Sequence, residues 1–252
     1  MLDSRREVRW DYLLPKEFAA AVEECPVCYM PLGTLERHGA HLPFGLDAMK
    51  AHGLCLRAAQ EYGGVVLPPL HWGTHGWWAE DYRRGDDSRW PADKQPPGSV
   101  YIHEGLLINL LLSMFREIEY ADFKVCVVLT GHYPTQQVAA VKSAAQQHMV
   151  SNPLKVWALC EPELSGEVEV GADHAGKWET SLLMYLDPGM QDLSLLPQDR
   201  TQSPIGTSNN GVQDANAAFW QRAVKAIVEA VRERVTVFLN EPGRVPGHGA
   251  PV

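Results

Sequence analysis

The chain has 252 residues, of which 45% are hydrophobic and 21% are charged, and its formal net charge at pH 7 is −9. This length and composition are typical of a globular protein with a substantial core, and they exclude an intrinsically disordered chain. The acidic balance argues against nucleic acid or an anionic membrane as the main partner, because both require a basic surface.

Helical and strand patterns alternate along the chain. In chain order they predict a helix at 11–24, a strand at 27–32, a helix at 47–62, a strand at 65–70, a helix at 101–120, a strand at 124–129, a helix at 136–149, a strand at 154–159 and helices at 177–186 and 211–239. The polar segment 79–97 is expected to be a solvated excursion, with a lid as the alternative. The alternation predicts an α/β fold, a three-layer α/β/α sandwich with a mainly parallel central sheet. No linker divides the sequence, so residues 1–252 are expected to form a single domain.

The apolar segments and the cysteines favour a cytoplasmic protein. The longest apolar run, residues 105–115, is too short to span a bilayer, and the charged first ten residues lack the apolar core of a signal peptide. Five cysteines do not suggest a disulfide framework. Cys25 and Cys28 have the spacing of a redox or zinc motif, but no second pair follows. We therefore expect them to be structural.

An acidic residue and a histidine directly follow the first predicted strand. In extended backbone Glu36 and His38 lie on the same side of the chain, so both can reach one centre. Glycines and a proline in the next loop let the chain turn back, so that Asp47 returns to this point at the start of a helix. The alternative is a helix capped by Asp47, with His38 and His41 as ordinary loop residues.

Two later segments supply side chains of the same kind. His132 follows the strand at 124–129, Glu179 lies in the first turn of a helix, and sites in parallel sheets form beyond the carboxyl ends of the strands. Five metal ligands are therefore predicted: Glu36, His38, Asp47, His132 and Glu179. Carboxylate and imidazole suit zinc, manganese or iron, and two ions bridged by Asp47 and a water would use these side chains fully. Taken singly, His132 and Glu179 are better explained as a buried, hydrogen-bonded histidine and a solvated first-turn glutamate.

With these residues the chain resembles the creatininase (creatinine amidohydrolase) family. The matching segments follow the family's order along most of the chain: residues 33–43 with Asp47, 73–75, 97–99, 131–133, and 174–176 with 179–181. The resemblance implies a dinuclear metal hydrolase, commonly a homohexamer, that acts on cyclic amides or related carbon–nitrogen bonds. The implied cofactors are two divalent ions per chain, zinc and/or manganese, or iron.

The family pattern also implies how the ligands are divided. Glu36 and His132 would hold one ion, His38 would hold the other, and Asp47 would bridge them. Creatininase itself completes the second position with a glutamate two residues beyond the histidine that matches His132, but this chain has Pro134 there. The glutamate of the later Glu-Thr-Ser motif is the best substitute.

The expected reaction is attack of metal-activated water on a carbonyl carbon. His174 or Asp173 would handle protons and protonate the leaving group. Five further side chains are candidates for the substrate pocket, each with a core, rim or supporting role as the alternative: Tyr133, Trp77, Trp78, Trp157 and His75.

Three classes of function remain open at this point. The first is hydrolysis of a small cyclic amide. The second is hydrolytic opening of a cyclic ketone such as an inosose, in which carbon is the leaving atom. The third is a non-catalytic metal-binding subunit, which Pro134 motivates. The expected partners are a small-molecule substrate and further copies of the chain, without nucleic acid or membrane.

Overall fold

The computed structural model describes residues 6–74, 98–164, 171–208 and 210–241. The predicted polar segment 79–97 lies entirely outside these residues. Three of the predicted pocket residues, His75, Trp77 and Trp78, also lie outside them. Their roles stay predictions.

Six strands and six α-helices are present in the described residues. The strands are β1 (Val27–Leu32), β2 (Val65–Val66), β3 (Gly73–Thr74), β4 (Tyr101–Ile102), β5 (Val125–Thr130) and β6 (Lys155–Cys160). The helices are α1 (Pro15–Glu24), α2 (Leu46–Tyr62), α3 (Glu104–Tyr120), α4 (Thr135–Met149), α5 (Lys177–Leu186) and α6 (Ala217–Asn240). None of these helices combines the length and the hydropathy needed to cross a bilayer.

The central sheet is parallel and has the order β2-β1-β5-β6. Leu32 pairs with Thr130, which in turn pairs with Cys160, so the three long strands end at the same level. The two-residue strands β3 and β4 form a separate parallel pair. The segments that follow β1, β5 and β6 therefore begin side by side at one edge of the sheet.

Helices cover both faces of the sheet. Alternate strand residues such as Tyr29 and Val127 pack against α2, α5 and α6. Their neighbours, such as Met30 and Val128, pack against α1, α3 and α4 on the other face. Strands buried on both faces read as continuous apolar runs, which is how β1 and β5 read in the sequence. The predicted three-layer α/β/α sandwich is confirmed.

Two predicted elements are shorter than expected. The strand predicted at 65–70 ends at Val66, because Pro68 and Pro69 lack the N–H that a ladder requires. The helix predicted at 101–120 begins at Glu104, since the two residues of β4 pair with β3 instead.

The long C-terminal helix also begins later than predicted. A 3-10 turn covers Asn210–Asp214, and α6 then starts at Ala217. The side chain of Asn216 accepts a hydrogen bond from the backbone N–H of Ala218 at 2.9 Å, which caps the new start.

The first turn of α2 is pressed against the ends of β1 and β5. A Cβ atom added to Gly33 would lie 2.2 Å from the backbone nitrogen of Ala48, and one added to Gly131 would lie 2.1 Å from the carbonyl oxygen of Asp47. The amide of Gly131 donates to the carbonyl of Leu32 at 2.8 Å, which ties the two strand ends together. Only glycine allows this approach.

We expect Gly131→Ala to lower the free energy of unfolding by about 1–3 kcal/mol, because the new methyl group forces α2 away from the strand. Urea denaturation followed by circular dichroism measures the change. Gly105→Ala is the matched control, since nothing lies within 4 Å of its added Cβ in an exposed part of α3. Equal stability of the two variants would contradict the close approach.

Candidate metal centre

The five predicted ligands meet at the shared edge of the strands. Glu36 and His38 follow β1, and His132 follows β5 by two residues. Asp47 lies in the first turn of α2, and Glu179 lies in the first turn of α5. All five side chains are buried.

The loop after β1 is closed on itself, and this closure brings Asp47 back to the strand end. The amide of Glu36 donates to the carbonyl of Phe44 at 3.0 Å, and Gly39 adopts a φ of 62°, which an L side chain rarely tolerates. The predicted return of the chain is observed, although Asp47 does not cap α2 through its side chain, since no side-chain cap bond is formed at that helix start.

The ligand atoms form two groups that share Asp47. In the first group, Nδ1 of His132 lies 3.2 Å from Oε2 of Glu36 and 3.1 Å from Oδ2 of Asp47. In the second group, Nε2 of His38 lies 3.2 Å from Oδ1 of Asp47 and 3.8 Å from Oε2 of Glu179. Within each group the ligand atoms lie within 4.8 Å of one another, as the donors of one ion do.

Backbone carbonyls orient both imidazole rings. Nδ1 of His38 lies 3.0 Å from the carbonyl oxygen of Glu36, and Nε2 of His132 lies 2.9 Å from that of Thr74. A carbonyl only accepts, so each of these nitrogens carries a proton, and the other nitrogen of each ring is directed at the carboxylates. This arrangement is typical of histidines that bind metals.

The carboxylates and imidazoles shift one another's pKa values. Burial acts to lower the pKa of His38, but Asp47, Glu179 and Glu36 outweigh it and raise that pKa to about 9. Burial likewise opposes the charge on His132, whose pKa is raised to about 10 by Asp47 and Glu36. Burial also disfavours the charge on Asp47, yet the two imidazoles hold its pKa well below its usual value.

One atom at the centre of the cluster lacks the partner that burial requires. Oδ2 of Asp47 is fully enclosed and accepts no hydrogen bond of good geometry from the part of the chain that is described, although Nδ1 of His132 is 3.1 Å away. Such an oxygen carries a free-energy cost unless a cation or donor meets it. A divalent ion held by Glu36, Asp47 and His132 would satisfy it, so the residues fit a metal.

Two buried charged residues that the sequence analysis did not predict, Lys50 and Glu161, belong to the same network of ion pairs as Glu179. The ammonium of Lys50 lies 2.5 Å from Oε1 of Glu179 and 2.6 Å from Oε1 of Glu161. Burial acts to lower the pKa of Lys50, but the two carboxylates raise it well above its usual value. The position of Glu161 after the end of β6 was the one sequence signal for this pair, because polar residues that follow parallel strands reach the same edge.

His174 stands at the open side of the cluster. Its ring stacks on that of His38 with centroids 4.6 Å apart, and its Nε2 lies 2.9 Å from the carbonyl oxygen of Arg37. One of its nitrogens also lies within 4.8 Å of ligand atoms of Glu36 and His38. The side chain is only partly buried, so it faces both the cluster and solvent.

Asp173 and Tyr133 shape the start of α5. The two carboxylate oxygens of Asp173 accept hydrogen bonds from the backbone amides of Trp178 at 2.8 Å and Glu179 at 3.1 Å, which ties this side chain to the helix start. The hydroxyl of Tyr133 donates to Oε1 of Glu179 at 3.0 Å. Tyr133 therefore borders the cluster.

Two other residues considered in the sequence lie away from ligand positions. Trp157 packs against Phe238 in the core beneath α6, with ring centroids 5.8 Å apart, and its predicted pocket role stays a prediction. Nε2 of His41 lies 3.0 Å from the hydroxyl of Thr180. Burial and the nearby His38 lower the pKa of His41 to about 4, so this ring is neutral at pH 7.

Fold and site together define the class of protein. A parallel three-layer α/β/α sandwich that gathers carboxylates and imidazoles at its strand ends is the framework of a metal-dependent hydrolase. A family model described as creatinine amidohydrolase matches residues 12–237. The chain belongs to the creatininase family.

Known members of this family differ in what they act on. The chain is 23% identical over 254 residues to creatinine amidohydrolase of Pseudomonas putida, covering 86% of this chain and 94% of that protein. It is 23% identical to the mycofactocin precursor peptide peptidase of Mycolicibacterium smegmatis, covering 83% and 84%. A shorter match, 23% identical and covering 46% and 33%, is to the 3-dehydro-scyllo-inosose hydrolase of Thermotoga maritima.

Solved structures show the same fold. The structure of a manganese form of creatininase superposes with a TM-score of 0.71 at 21% identity, covering 91% of this chain and 98% of that one. The predicted use of divalent metal agrees with this relative and with the two groups of ligand atoms.

Metal binding is expected to release protons. With pKa values of about 9 and about 10, His38 and His132 are protonated at pH 7 in the metal-free protein, so an ion must displace those protons. The affinity for Mn²⁺ should therefore rise by up to tenfold per pH unit up to about pH 9 where His38 holds the ion and up to about pH 10 where His132 holds it, and then level off. Calorimetric titration in buffers of different ionisation enthalpy counts the protons. An affinity that does not change with pH would contradict this assignment.

Proposed function

We propose that this chain binds two divalent ions, zinc or manganese, and uses them to hydrolyse the carbon–nitrogen bond of a small cyclic amide. The observation that carries the proposal is the sharing of Asp47 between two groups of ligand atoms. Glu36 and His132 complete the first group, and His38 and Glu179 complete the second. A carboxylate with one oxygen toward each imidazole is placed to bridge two ions.

The ions, when bound, would activate a water molecule and polarise the carbonyl group of the substrate. The chain's own residues orient the ligands and exclude bulk water. The carbonyls of Glu36 and Thr74 keep the basic nitrogens of His38 and His132 directed at the carboxylates. Burial of the ligands excludes bulk water from competing positions.

His174 is the proposed proton carrier. The carbonyl of Arg37 fixes its Nε2 as the protonated nitrogen, which leaves Nδ1 as the basic one. Partial exposure beside the proposed ligands supports this role, because a proton carrier must reach both the substrate and solvent. Asp173, the second candidate from the sequence, is proposed to position this segment through its bonds to the start of α5.

A second candidate substrate class is a cyclic ketone of the inosose type, in which a carbon–carbon bond is cleaved. The relative from Thermotoga maritima favours it, although the match covers a third of that protein. The same two-ion arrangement serves either class, because both begin with attack of water on a carbonyl carbon.

We further propose a cytoplasmic homo-oligomer, with a hexamer as the expected form. The exposed apolar side chains of Tyr120, at 89%, and Val150, at 82%, are available for contacts between copies. Five unpaired cysteines, four of them buried, support a reducing compartment.

The function is tested with Asp47→Ala and a substrate panel. We expect the unchanged protein to hold about two ions per chain and to hydrolyse a cyclic amide, while the variant loses both ions and all turnover, because it removes the bridge. Elemental analysis and product assays measure this. Asp199→Ala is the control, since Asp199 is exposed and bonds locally to Thr201. If the protein cleaved only inososes or peptides, the proposed substrate class would be wrong. Metal retained by Asp47→Ala would contradict the bridging role of Asp47.

For His174→Ala we expect both ions to remain and kcat to fall by roughly 10²-fold or more, as for loss of a general acid or base. The variant should also lose one limb of the dependence of kcat on pH. His103→Ala, at an exposed helix start, is the control. Loss of an ion in His174→Ala would instead identify this residue as a ligand.

A further inference from the structure

A buried lysine lies directly behind the second of the two proposed metal positions. Lys50 is on α2, three residues after Asp47, and its side chain is fully buried. Within the described residues it forms ion pairs with Glu161 and Glu179 alone, at 2.6 and 2.5 Å. Its ammonium also lies 4.5 Å from the ring centre of Tyr133. These contacts therefore hold the positive charge of Lys50 in one position.

The two oxygens of Glu179 face in different directions. Oε1 accepts hydrogen bonds from the ammonium of Lys50 at 2.5 Å and from the hydroxyl of Tyr133 at 3.0 Å. Oε2 accepts from the amide of Ala175 at 2.7 Å and lies 3.8 Å from Nε2 of His38. The carboxylate that would complete the second metal position is thus shared with a permanent cation.

We propose that Lys50 is a built-in cation that weakens metal binding at the position formed by His38, Asp47 and Glu179. The inference rests on the proposed two-ion function. A carboxylate that already neutralises an ammonium is a poorer metal ligand, and the ammonium repels a divalent ion in an interior of low dielectric constant. The position formed by Glu36 and His132 has no such bond to Lys50, so the two positions differ in affinity.

Glu161 moderates this effect. Its carboxylate lies 2.6 Å from the ammonium, so it offsets part of the positive charge that the ion would meet. Removing Lys50 leaves an excess of negative charge near the second position, whereas removing the charge of Glu161 leaves the ammonium without its second partner. The two changes must therefore alter the affinity in opposite directions, which general damage to the fold cannot do.

The test is a stepwise Mn²⁺ titration of the full chain, with free Mn²⁺ followed by electron paramagnetic resonance. We expect Lys50→Met to lower the dissociation constant of the second ion by roughly tenfold, and Glu161→Gln to raise it by a similar factor, with the first ion unchanged. Lys142→Met is the matched control, because Lys142 is also buried and lies 2.6 Å from Glu163, which is not a proposed ligand.

The outcomes separate the two proposals. Fewer than two ions on the unchanged protein would overturn the proposed function, and this inference with it. Two ions on the unchanged protein, with a second dissociation constant that Lys50→Met leaves unaltered or raises, would overturn the role of Lys50 alone. Should Lys50→Met fail to fold, Glu161→Gln decides: weaker binding of the second ion with the first ion unchanged supports the role, and unchanged binding of the second ion overturns it.

Discussion

The whole site depends on the close contact between the first turn of α2 and the ends of two neighbouring strands. Gly33 and Gly131 allow backbone to meet backbone there, and no other residue type fits. Because β1 and β5 end in register, the residues that follow them are brought within reach of the same carboxylate, that of Asp47. A rigid contact of main-chain atoms therefore fixes the position of that carboxylate more firmly than a side-chain contact would.

Burial of several carboxylates in one place requires positive charge. Glu36, Asp47, Glu179 and Glu161 are enclosed together, and Lys50 alone cannot balance them. In the metal-free protein, protons on His38 and His132 supply part of the balance, which is why their pKa values are raised. Divalent ions would supply the same charge at the same atoms. The need to balance buried negative charge and the metal chemistry of the family therefore favour the same grouping of carboxylates and imidazoles.

The sequence predicted what depends on local pattern and missed what depends on distant partners. The bounds of β1 follow from an uninterrupted apolar run, and the Glu-x-His spacing implies a common centre in any extended segment. Lys50 was not predicted because a lysine in an amphipathic helix is ordinarily solvent-exposed. Its burial is decided by Glu179, 129 positions away. The early end of β2 was open to prediction from Pro68 and Pro69, which interrupt the ladder.

The proline at position 134 was the main reason to consider a non-catalytic subunit, and the geometry weakens that reason. Pro134 immediately precedes α4, where it suits a helix start, and no carboxylate is available there. The carboxylate of Glu179 instead approaches His38 from α5. The group formed by His38, Asp47 and Glu179 therefore brings three ligand atoms together without a carboxylate at position 134.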